Sequence, residues 1–310
     1  MSFRTELHFP PAPFSISHAD SIVMQGSCFA ENIGAWLNRY RFQANINSHG
    51  ILFNPASITN ALSDAIQECK YTQDDLLKVS EKFVSLNHHG KFSDANDDDC
   101  LLRINDSISN AHKDLKAATL LVITFGSAWA WRHIENDMIV ANCHKMPQQQ
   151  FRKELISSSW IVNEYGNLIP KLKGYNPKLK IIFTVSPVRY LRDGLVQNNL
   201  SKAQLITAVH ELCSQFPDCF YFPAYELVTD DLRDYRFFKE DMLHPTAQAI
   251  EYVWKKFSAW CMAETSLRKM EAMEKHLLQL EHRPASAQGG NHSTTAAIES
   301  SIASILAATD

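Results

Sequence analysis

The sequence predicts an α/β fold in which a mostly parallel sheet is covered by helices on both faces. Short apolar segments alternate with longer segments whose apolar residues recur at helical spacing, and this alternation is typical of βαβ units. Residues 120–125 form an apolar run without polar alternation, as expected of a parallel strand that is buried on both faces. Glycines and serines also follow several predicted strands directly, and such sheets bind ligands at the carboxyl ends of their strands.

The first predicted strand and helix lie on either side of a serine. Residues 22–24 are apolar and the segment ends at Gly26, which predicts a short buried strand. Apolar residues at helical spacing then predict a helix over residues 29–40. Ser27 therefore lies at a strand-to-helix junction, where the first backbone N–H groups of the helix are unpaired and can face an anion.

The following segments continue the alternation up to the third main strand. Residues 42–47 alternate like a second strand, and Pro55 begins a helix that is expected to reach about residue 70. The pattern then predicts a helical piece at 72–77, a strand at 83–86, an acidic loop at 94–99 and a helix at 101–116.

The second half of the chain supplies the remaining elements. A short strand is predicted at 138–140, and a long helix with a break near Gly166 is predicted over residues 147–174. The fourth and fifth main strands are predicted at 180–186 and 219–222, and further helices at 201–215 and 244–257. The sheet should therefore have five main strands.

We expect residues 1–260 to form the α/β domain and residues 261–310 to form a C-terminal helical tail. An apolar stripe predicts a helix over 262–280, residues 284–291 have the composition of a flexible linker, and residues 294–308 form a weak helix. The tail packs on the domain, packs on a partner or is disordered, and the sequence leaves these three alternatives open.

Composition limits the class of protein. A hydrophobic content of 45% and a charged content of 21% describe a soluble globular chain, and a net charge of −4 over 310 residues argues against nucleic-acid binding. No apolar run is long enough to span a membrane, and the N-terminus does not have the pattern of a secretory signal. Seven cysteines without a Cys-x-x-Cys motif indicate reduced thiols and a cytoplasmic protein, with a mature fragment that has lost its signal as the alternative. The oligomeric state is not specified.

Ser27, Asp241 and His244 are the residue types of an activated serine. A serine hydroxyl is a weak nucleophile, so it needs a base within hydrogen-bond reach and a group that orients the base. Asp241 and His244 are three residues apart, and one helical turn would place both on the same side. The order Ser, Asp, His differs from that of the serine proteases, and Ser27 lacks the Gly-x-Ser-x-Gly context.

The segment Gly-Ser-Cys-Phe-Ala at residues 26–30 resembles the signature of the GSCFA family. Further segments resemble the family pattern at 31–34, 50–55, 124–129, 141–145, 184–188 and 241–244, and the resemblance covers roughly residues 15–260. It implies kinship with SGNH/GDSL-type hydrolases, in which an N-terminal serine and a C-terminal Asp-x-x-His hydrolyse esters. It also implies their three-layer α/β/α fold with a flavodoxin-like sheet.

The resemblance also implies an oxyanion hole. SGNH-type enzymes use the N–H of the serine, the N–H of a glycine after the second strand and an asparagine side chain after the third strand. Gly50 matches the glycine, although a turn glycine is an equal alternative. The sequence departs from the pattern after Gly126, where a Gly-x-Asn-Asp element would stand. Asn142 is the residue we favour as the missing amide, and Asn54 is the alternative.

Other candidates surround these residues. Cys28 could act as a rival nucleophile, but a free cysteine is usually a small core residue. His144 and Lys145 could bind an anionic group of a substrate or form a loop wall. Trp129, Trp131, Arg132 and His133 follow the third strand and could line the pocket. The histidines at 88–89 with the acidic residues at 94–99 have irregular spacing, which favours a solvated loop over a metal site.

The sequence thus predicts a metal-independent serine hydrolase without a cofactor, which cleaves a carboxylic ester through an acyl-enzyme on Ser27. The expected substrate is a small-molecule or glycan ester, with a small acyl group on a sugar as the favoured case by resemblance. We expect neither a nucleic acid nor a membrane as a partner. Two alternatives remain, an acyltransferase that uses the same residues and a non-catalytic carbohydrate-binding module.

Overall fold

A computed structural model describes residues 4–281 and 292–308 of the chain. The strands are β1 (Ser21–Gly26), β2 (Gln43–Ile46), β3 (Leu77–Val79), β4 (Lys82–Val84), β5 (Leu120–Phe125), β6 (Trp129–His133), β7 (Met138–Val140), β8 (Phe151–Leu155), β9 (Lys180–Val185) and β10 (Cys219–Tyr221). The helices are α1 (Cys28–Arg39), α2 (Pro55–Gln67), α3 (Asp97–Ala117), α4 (Ser158–Tyr175), α5 (Gly194–Gln215), α6 (Ala224–Glu226), α7 (Ala247–Cys261), α8 (Glu264–Glu281) and α9 (His292–Ala307).

Five strands form a parallel central sheet in the order β10-β9-β5-β1-β2, which confirms the predicted fold class. Counted along the chain, this order is 2-1-3-4-5, the flavodoxin-like arrangement. The direction of strand addition reverses between β1 and β5. Ligands bind at such a topological switch point, outside the carboxyl ends of the strands.

Helices cover both faces of the sheet. The side chains of β5 alternate between two apolar clusters, with Leu121 and Ile123 in one and Leu120 and Val122 in the other. The first cluster also contains apolar residues of α2, α3, α4 and α5, and the second contains residues of α1, α7, α8 and α9. The strands must therefore be apolar on both sides, which explains the unbroken apolar run at 120–125.

The predicted helix over residues 147–174 is confirmed from Ser158 onward, but its first part is wrong. Residues Phe151–Leu155 form β8, which pairs antiparallel with β6, and β6 also pairs with β7. The helix α4 begins only after Ser157, whose side chain accepts a hydrogen bond from the N–H of Trp160. It continues without a break through Gly166. The strand β7 was predicted at 138–140, but β6 and β8 were missed, since both are short and β8 carries three charged residues in succession.

Three helix boundaries also differ from the prediction. Asn96 caps α3, so part of the predicted acidic loop forms the first turn of that helix. Its aspartates stabilise this end because negative charge is favoured at a helix N-terminus. Residues Gln73–Asp75 form only a 3-10 turn. Thr246 caps α7, so His244 lies in the loop before the helix.

The C-terminal helices pack on the domain. Met270, Met273 and Leu277 of α8 are buried in the same apolar cluster as residues of α1 and α7, and α9 contributes Ile298 and Ile302. The linker predicted at 284–291 lies outside the described residues. In the described part of the chain, none of the helices is long and apolar enough to cross a membrane.

Candidate active site

A cavity of about 380 Å³ lies beside Ser27 at the carboxyl edge of the central sheet. Ser27, which follows β1, and Gly126, which follows β5, both line it, so the cavity sits at the switch point. Apolar and aromatic side chains form most of its wall, including Ile51, Phe53, Val140, Val188, Trp129, Trp131 and Tyr190. Its size and lining are typical of a small-molecule site.

Backbone contacts fix the position of Ser27. Its N–H donates to the carbonyl of Thr124 at 3.1 Å, and its Oγ caps α1 by accepting from the N–H of Phe29 at 3.3 Å. Only 1% of Ser27 is exposed. The hydroxyl therefore lies at the floor of the cavity and is held at the junction of a strand and a helix.

Gly26 permits this close approach of β1 and β5. It adopts a φ of 151°, and a Cβ atom at this position would lie 2.2 Å from the carbonyl oxygen of Thr124. Its N–H donates to Oδ1 of Asn47 at 2.9 Å. Asn47 is a supporting residue that the sequence analysis did not identify, and it has a φ of 49°, a conformation that asparagine tolerates better than most residues.

Asp241 and His244 form a pair outside any helix. One carboxylate oxygen of Asp241 accepts from the N–H of Leu243 at 2.8 Å and from the N–H of His244 at 3.0 Å. The other lies 2.7 Å from Nδ1 of His244. The expected helical turn is wrong, because Met242 between them has a φ of 60°.

The protonation state of this pair follows from its hydrogen bonds. The N–H groups of His244 and Leu243, followed by the imidazole itself, lower the pKa of Asp241 to about 2. An ionised carboxylate can only accept, so Nδ1 of His244 carries the proton. In the neutral imidazole Nε2 is then free to accept a proton, which is the tautomer that a general base needs.

Arg189 connects this pair to the cavity. Its backbone N–H donates to the carbonyl of Leu243 at 3.2 Å, and its guanidinium donates to the carbonyl of Met242 at 3.5 Å. Arg189 also lines the cavity. Within the described residues no hydrogen bond joins Ser27 to His244, and the cavity wall includes neither member of the Asp241–His244 pair.

The backbone donors implied by the family resemblance are already engaged. The N–H of Gly50 donates to the carbonyl of Asn47 at 2.7 Å, and the N–H of Ser27 is bound to Thr124. Gly50 has a φ of 78°, and a Cβ there would lie 2.3 Å from Cβ of His89. Gly50 is therefore needed for the conformation of its turn and for the close contact of that turn with His89.

Two asparagine side chains line the cavity. Oδ1 of Asn54 caps α2 by accepting from the N–H of Ser57 at 2.8 Å, and Oδ1 of Asn142 accepts from the N–H of His144 at 2.9 Å. In the described part of the chain neither Nδ2 donates to an acceptor within hydrogen-bond distance. Both amide groups are thus available to a ligand.

Some of the remaining candidates lie at the cavity, and others make contacts away from it. Gly126 lies against Ser27, since a Cβ at Gly126 would be 3.2 Å from the Cβ of Ser27. His144 points elsewhere, with Nε2 at 2.8 Å from the carbonyl of Ser85. Trp129 and Trp131 line the cavity as expected, whereas Arg132 pairs with Glu154.

Cys28 also lines the cavity, beside Ser27. Burial, reinforced by the charge of Glu31, raises the pKa of its thiol. The thiolate is the nucleophilic form of cysteine, so this environment disfavours Cys28 as a nucleophile.

Lys202 is a second feature that the sequence analysis missed. Its side chain is buried beneath the site, and Nζ donates to the carbonyls of Gly126 and Ser186 at 2.6 Å each. Burial lowers the pKa of Lys202 to about 7. The signal in the sequence is the spacing of Asn198, Ser201 and Lys202, because these polar residues occupy one buried face of α5.

A model described as the GSCFA family matches residues 21–257. The chain belongs to the GSCFA family. This confirms the membership that the signature at residues 26–30 predicts. No curated protein is similar enough to this chain to count as a match.

Several solved structures resemble this GSCFA chain. A carbohydrate esterase family 3 structure from Talaromyces cellulolyticus is 8% identical with a TM-score of 0.37, and the match covers 81% of this chain and 97% of that one. A family two carbohydrate esterase from Clostridium thermocellum is 11% identical with a TM-score of 0.38, covering 82% and 65%. An acetyl xylan esterase from Butyrivibrio proteoclasticus is 9% identical with a TM-score of 0.40, covering 79% and 64%. Likenesses at this level assign no activity.

The GSCFA signature has a structural explanation at each position. Gly26 allows the close contact with Thr124, and Ser27 caps α1 at the cavity floor. Cys28 lines the cavity, while Phe29 and Ala30 are buried in the apolar cluster beneath α1. The signature therefore encodes a strand-to-helix junction that presents one hydroxyl group to the cavity.

Proposed function

We propose that this chain is a serine hydrolase that cleaves a carboxylic ester through an acyl-enzyme on Ser27. The observation that carries the proposal is the position of Ser27 at the floor of a cavity at the topological switch point. A hydroxyl held there by the sheet and by α1 can attack a bound carbonyl carbon without a search for the correct geometry. The proposal also adopts the SGNH kinship that the family resemblance implies.

In the first step Ser27 Oγ forms a bond to the carbonyl carbon of the ester, and its proton moves to Nε2 of His244. The bond from that carbon to the alcohol oxygen then breaks, and the alcohol leaves with the proton from His244. Water attacks the acyl-enzyme, gives one proton to His244 and releases the acid, while the proton returns to Ser27. Asp241 orients the imidazole throughout and stabilises its charged form.

The proton transfer requires a contact between Ser27 and His244 that the free protein does not make within its described residues. Catalytic hydrogen bonds are often long in free enzymes and shorten in the substrate complex. Arg189 supports such a movement, because it belongs to the cavity wall and also holds the turn that carries His244. A substrate that shifts Arg189 would shift the base with it.

The oxyanion needs donors that are free. Since the N–H groups of Ser27 and Gly50 are engaged, we assign this role to the side-chain amides of Asn54 and Asn142. A backbone N–H bound to Oδ1 holds each amide in place, and Asn54 is the stronger candidate because the carbonyl of Phe53 beside it accepts from the N–H of Gly126 at 2.8 Å. A fixed amide donor stabilises the negative oxygen more than a mobile one.

The proposed substrate is a small acyl group on a sugar or glycan. The wall contains Trp129 and Trp131 on neighbouring positions of one face of β6, and aromatic faces suit the apolar face of a sugar ring. We also propose that the protein works in the cytoplasm. All seven cysteines are free thiols, which is typical of that compartment.

Labelling with a fluorophosphonate probe tests the activated serine. We expect the parent to be labelled and Ser27→Ala to remain unlabelled. Cys28→Ala is the matched control, since Cys28 is adjacent and lines the same cavity, and it should keep its labelling. Loss of labelling only in Cys28→Ala would identify a cysteine enzyme. A folded parent that never reacts would support a non-catalytic binding module.

A further inference from the structure

We infer that the ester taken by this site carries a carboxylate or phosphate group on its alcohol portion, bound by Arg189 and Arg192. This inference rests on the proposed function and extends it to a class of substrate. It comes from the distribution of charge around the cavity, which differs from that of the rest of the chain.

The cavity wall is basic although the chain is acidic. Arg189 and Arg192 line it, and neither aspartate nor glutamate does in the described part of the chain. The whole chain carries a net charge of −4. The charge of Glu31 raises the pKa of Cys28, but Glu31 does not line the cavity. Its carboxylate accepts a hydrogen bond from Nδ2 of Asn47 at 3.4 Å. A cavity lined by one sign of charge attracts ligands of the opposite sign.

The two arginines lack the carboxylate partners that other arginines have. Among the described arginines, all except Arg189, Arg192 and Arg233 lie within 4.0 Å of a carboxylate. The carboxylate next to Arg192 in the chain, Asp193, is bound by Lys153. Two of the three arginines without a carboxylate partner therefore line the same cavity as the proposed nucleophile.

Aromatic contacts hold these guanidinium groups in place. The guanidinium of Arg189 lies 4.0 Å from the ring centre of Phe238, and that of Arg192 lies 5.7 Å from the ring centre of Trp131. A guanidinium over an aromatic ring can still direct N–H groups to a planar anion, although that of Arg189 also donates to the carbonyl of Met242 at 3.5 Å. Arginine binds both carboxylates and phosphates through two parallel hydrogen bonds, so the arrangement suits either group.

A neighbouring groove indicates which portion of the ester is charged. Trp131 and Arg192 line the cavity and also a groove of about 620 Å³ that continues past Gln148, Gln149, Phe151 and the ion pair of Lys153 with Asp193. Ser27 lines the cavity but not this groove, and only 1% of it is exposed. A small acyl group fits beside Ser27, so the alcohol portion must extend over Trp131 toward Arg192 and the groove.

Three acetate esters of matched size test this inference. They are 3-acetoxybenzoate, 3-acetoxyphenyl phosphate and the neutral 3-acetoxybenzamide. We expect kcat/KM to be about tenfold higher for at least one anionic ester than for the amide, because a charge-assisted hydrogen bond is stronger than a neutral one. The benzoate and the phosphate together distinguish the two possible anionic groups. The preference should weaken as the salt concentration rises.

Substitutions of the two arginines test whether they cause the preference for anionic esters. Arg192→Gln and Arg189→Gln should each reduce the ratio of anionic to neutral kcat/KM toward one, and Arg192→Glu should reverse it. Arg268→Gln is the matched control, because Arg268 lies on α8 and pairs with Glu264. Equal rates for charged and neutral esters with hydrolysis that still depends on Ser27 would overturn the inference and leave the proposed function intact.

A binding measurement decides the question even if no ester is hydrolysed. In Ser27→Ala, tryptophan fluorescence should report a Kd for 3-hydroxybenzoate or 3-hydroxyphenyl phosphate about tenfold lower than that for 3-hydroxybenzamide. Arg192→Gln should remove this difference. Equal Kd values for all three compounds would overturn the inference. A charge preference without hydrolysis would support the inference and contradict the proposed function.

Discussion

The two ends of the proposed site are built in different ways. Ser27 is 1% exposed and is held by hydrogen bonds to the end of β5 and to the first turn of α1. The side chains of His244 and Asp241 are 42% and 43% exposed, and they lie in a turn before α7. The sheet thus fixes the proposed nucleophile, whereas a surface turn carries the proposed base.

This contrast suggests where the activity of the protein can be controlled. The contacts around Ser27 belong to the core and persist as long as the fold does. The turn that carries His244 is attached to the cavity through Arg189 and through internal hydrogen bonds of Asp241. Changes in the turn should therefore alter activity with little effect on stability, whereas changes in the buried contacts of Ser27 should lower stability.

The largest expected effect separates activity from stability at the exposed end. We expect His244→Ala to lower kcat/KM for an acetate ester about 10³-fold and Asp241→Asn about 10²-fold, as for loss of a general base and of its orienting group. Both side chains are exposed, so the urea midpoint of unfolding should stay close to that of the parent.

Two variants outside the pair serve as controls for these substitutions. Glu240→Gln removes the adjacent carboxylate, and His276→Ala removes a histidine of α8. Both should retain full activity. If Asp241→Asn is as active as Glu240→Gln, then the Asp241–His244 pair is only a structural feature of the turn.

The second prediction concerns the buried end and is measured as stability. Gly26→Ala places a Cβ 2.2 Å from the carbonyl oxygen of Thr124 at a φ of 151°, and the two nearest atoms belong to backbone. We expect it to lower the free energy of unfolding by roughly 3 kcal/mol in urea denaturation.

Met242→Gly is the matched change at the exposed end. Met242 also has a positive φ, of 60°, and glycine adopts this conformation without strain. Glycine relieves the strain of the folded turn, which raises the free energy of unfolding, but it also gives the unfolded chain more conformational freedom, which lowers it. The two effects nearly cancel, so the change in stability should be below about 1 kcal/mol. Equal losses in the two variants would show that the turn is as firmly fixed as the strand end.

The same contrast explains how much the sequence could predict. All five strands of the sheet were predicted, the second from its alternation and the others because a parallel strand buried on both faces is a short apolar run. Ser27 was placed correctly at a strand-to-helix junction, since Gly26 and the helical spacing after it are local signals. Family membership rested on the same segment and is confirmed.

Features that depend on contacts distant in sequence were not predictable in this way. The pairing of β6 with β8 decides that residues 151–155 form a strand, and no local pattern reveals that partner. The engagement of the Gly50 N–H by Asn47 depends on a turn with two positive φ values. The role of Lys202 depends on the carbonyls that two strands bring together above α5.

The smallest predicted effect concerns the support beneath Ser27 and appears as a dependence of stability on pH. Burial lowers the pKa of Lys202 to about 7, whereas a lysine in the unfolded chain titrates near about 10.4. The unfolded chain therefore binds more protons between these values, and the contribution of Lys202 to stability rises with pH across this window. The neutral amine still has two N–H groups, enough for the carbonyls of Gly126 and Ser186.

Lys202→Met removes this titration. Between pH 7 and pH 9 the free energy of unfolding of the parent should rise by about 2 kcal/mol relative to that of Lys202→Met, measured by urea denaturation at each pH. Lys171→Met, at an exposed position of α4, is the control and should follow the parent. Parallel curves for Lys202→Met and the parent would mean that the amine stays charged at pH 9. The buried end would then contain a permanent positive charge beneath Ser27, and the carbonyls of Gly126 and Ser186 would be the groups that stabilise it.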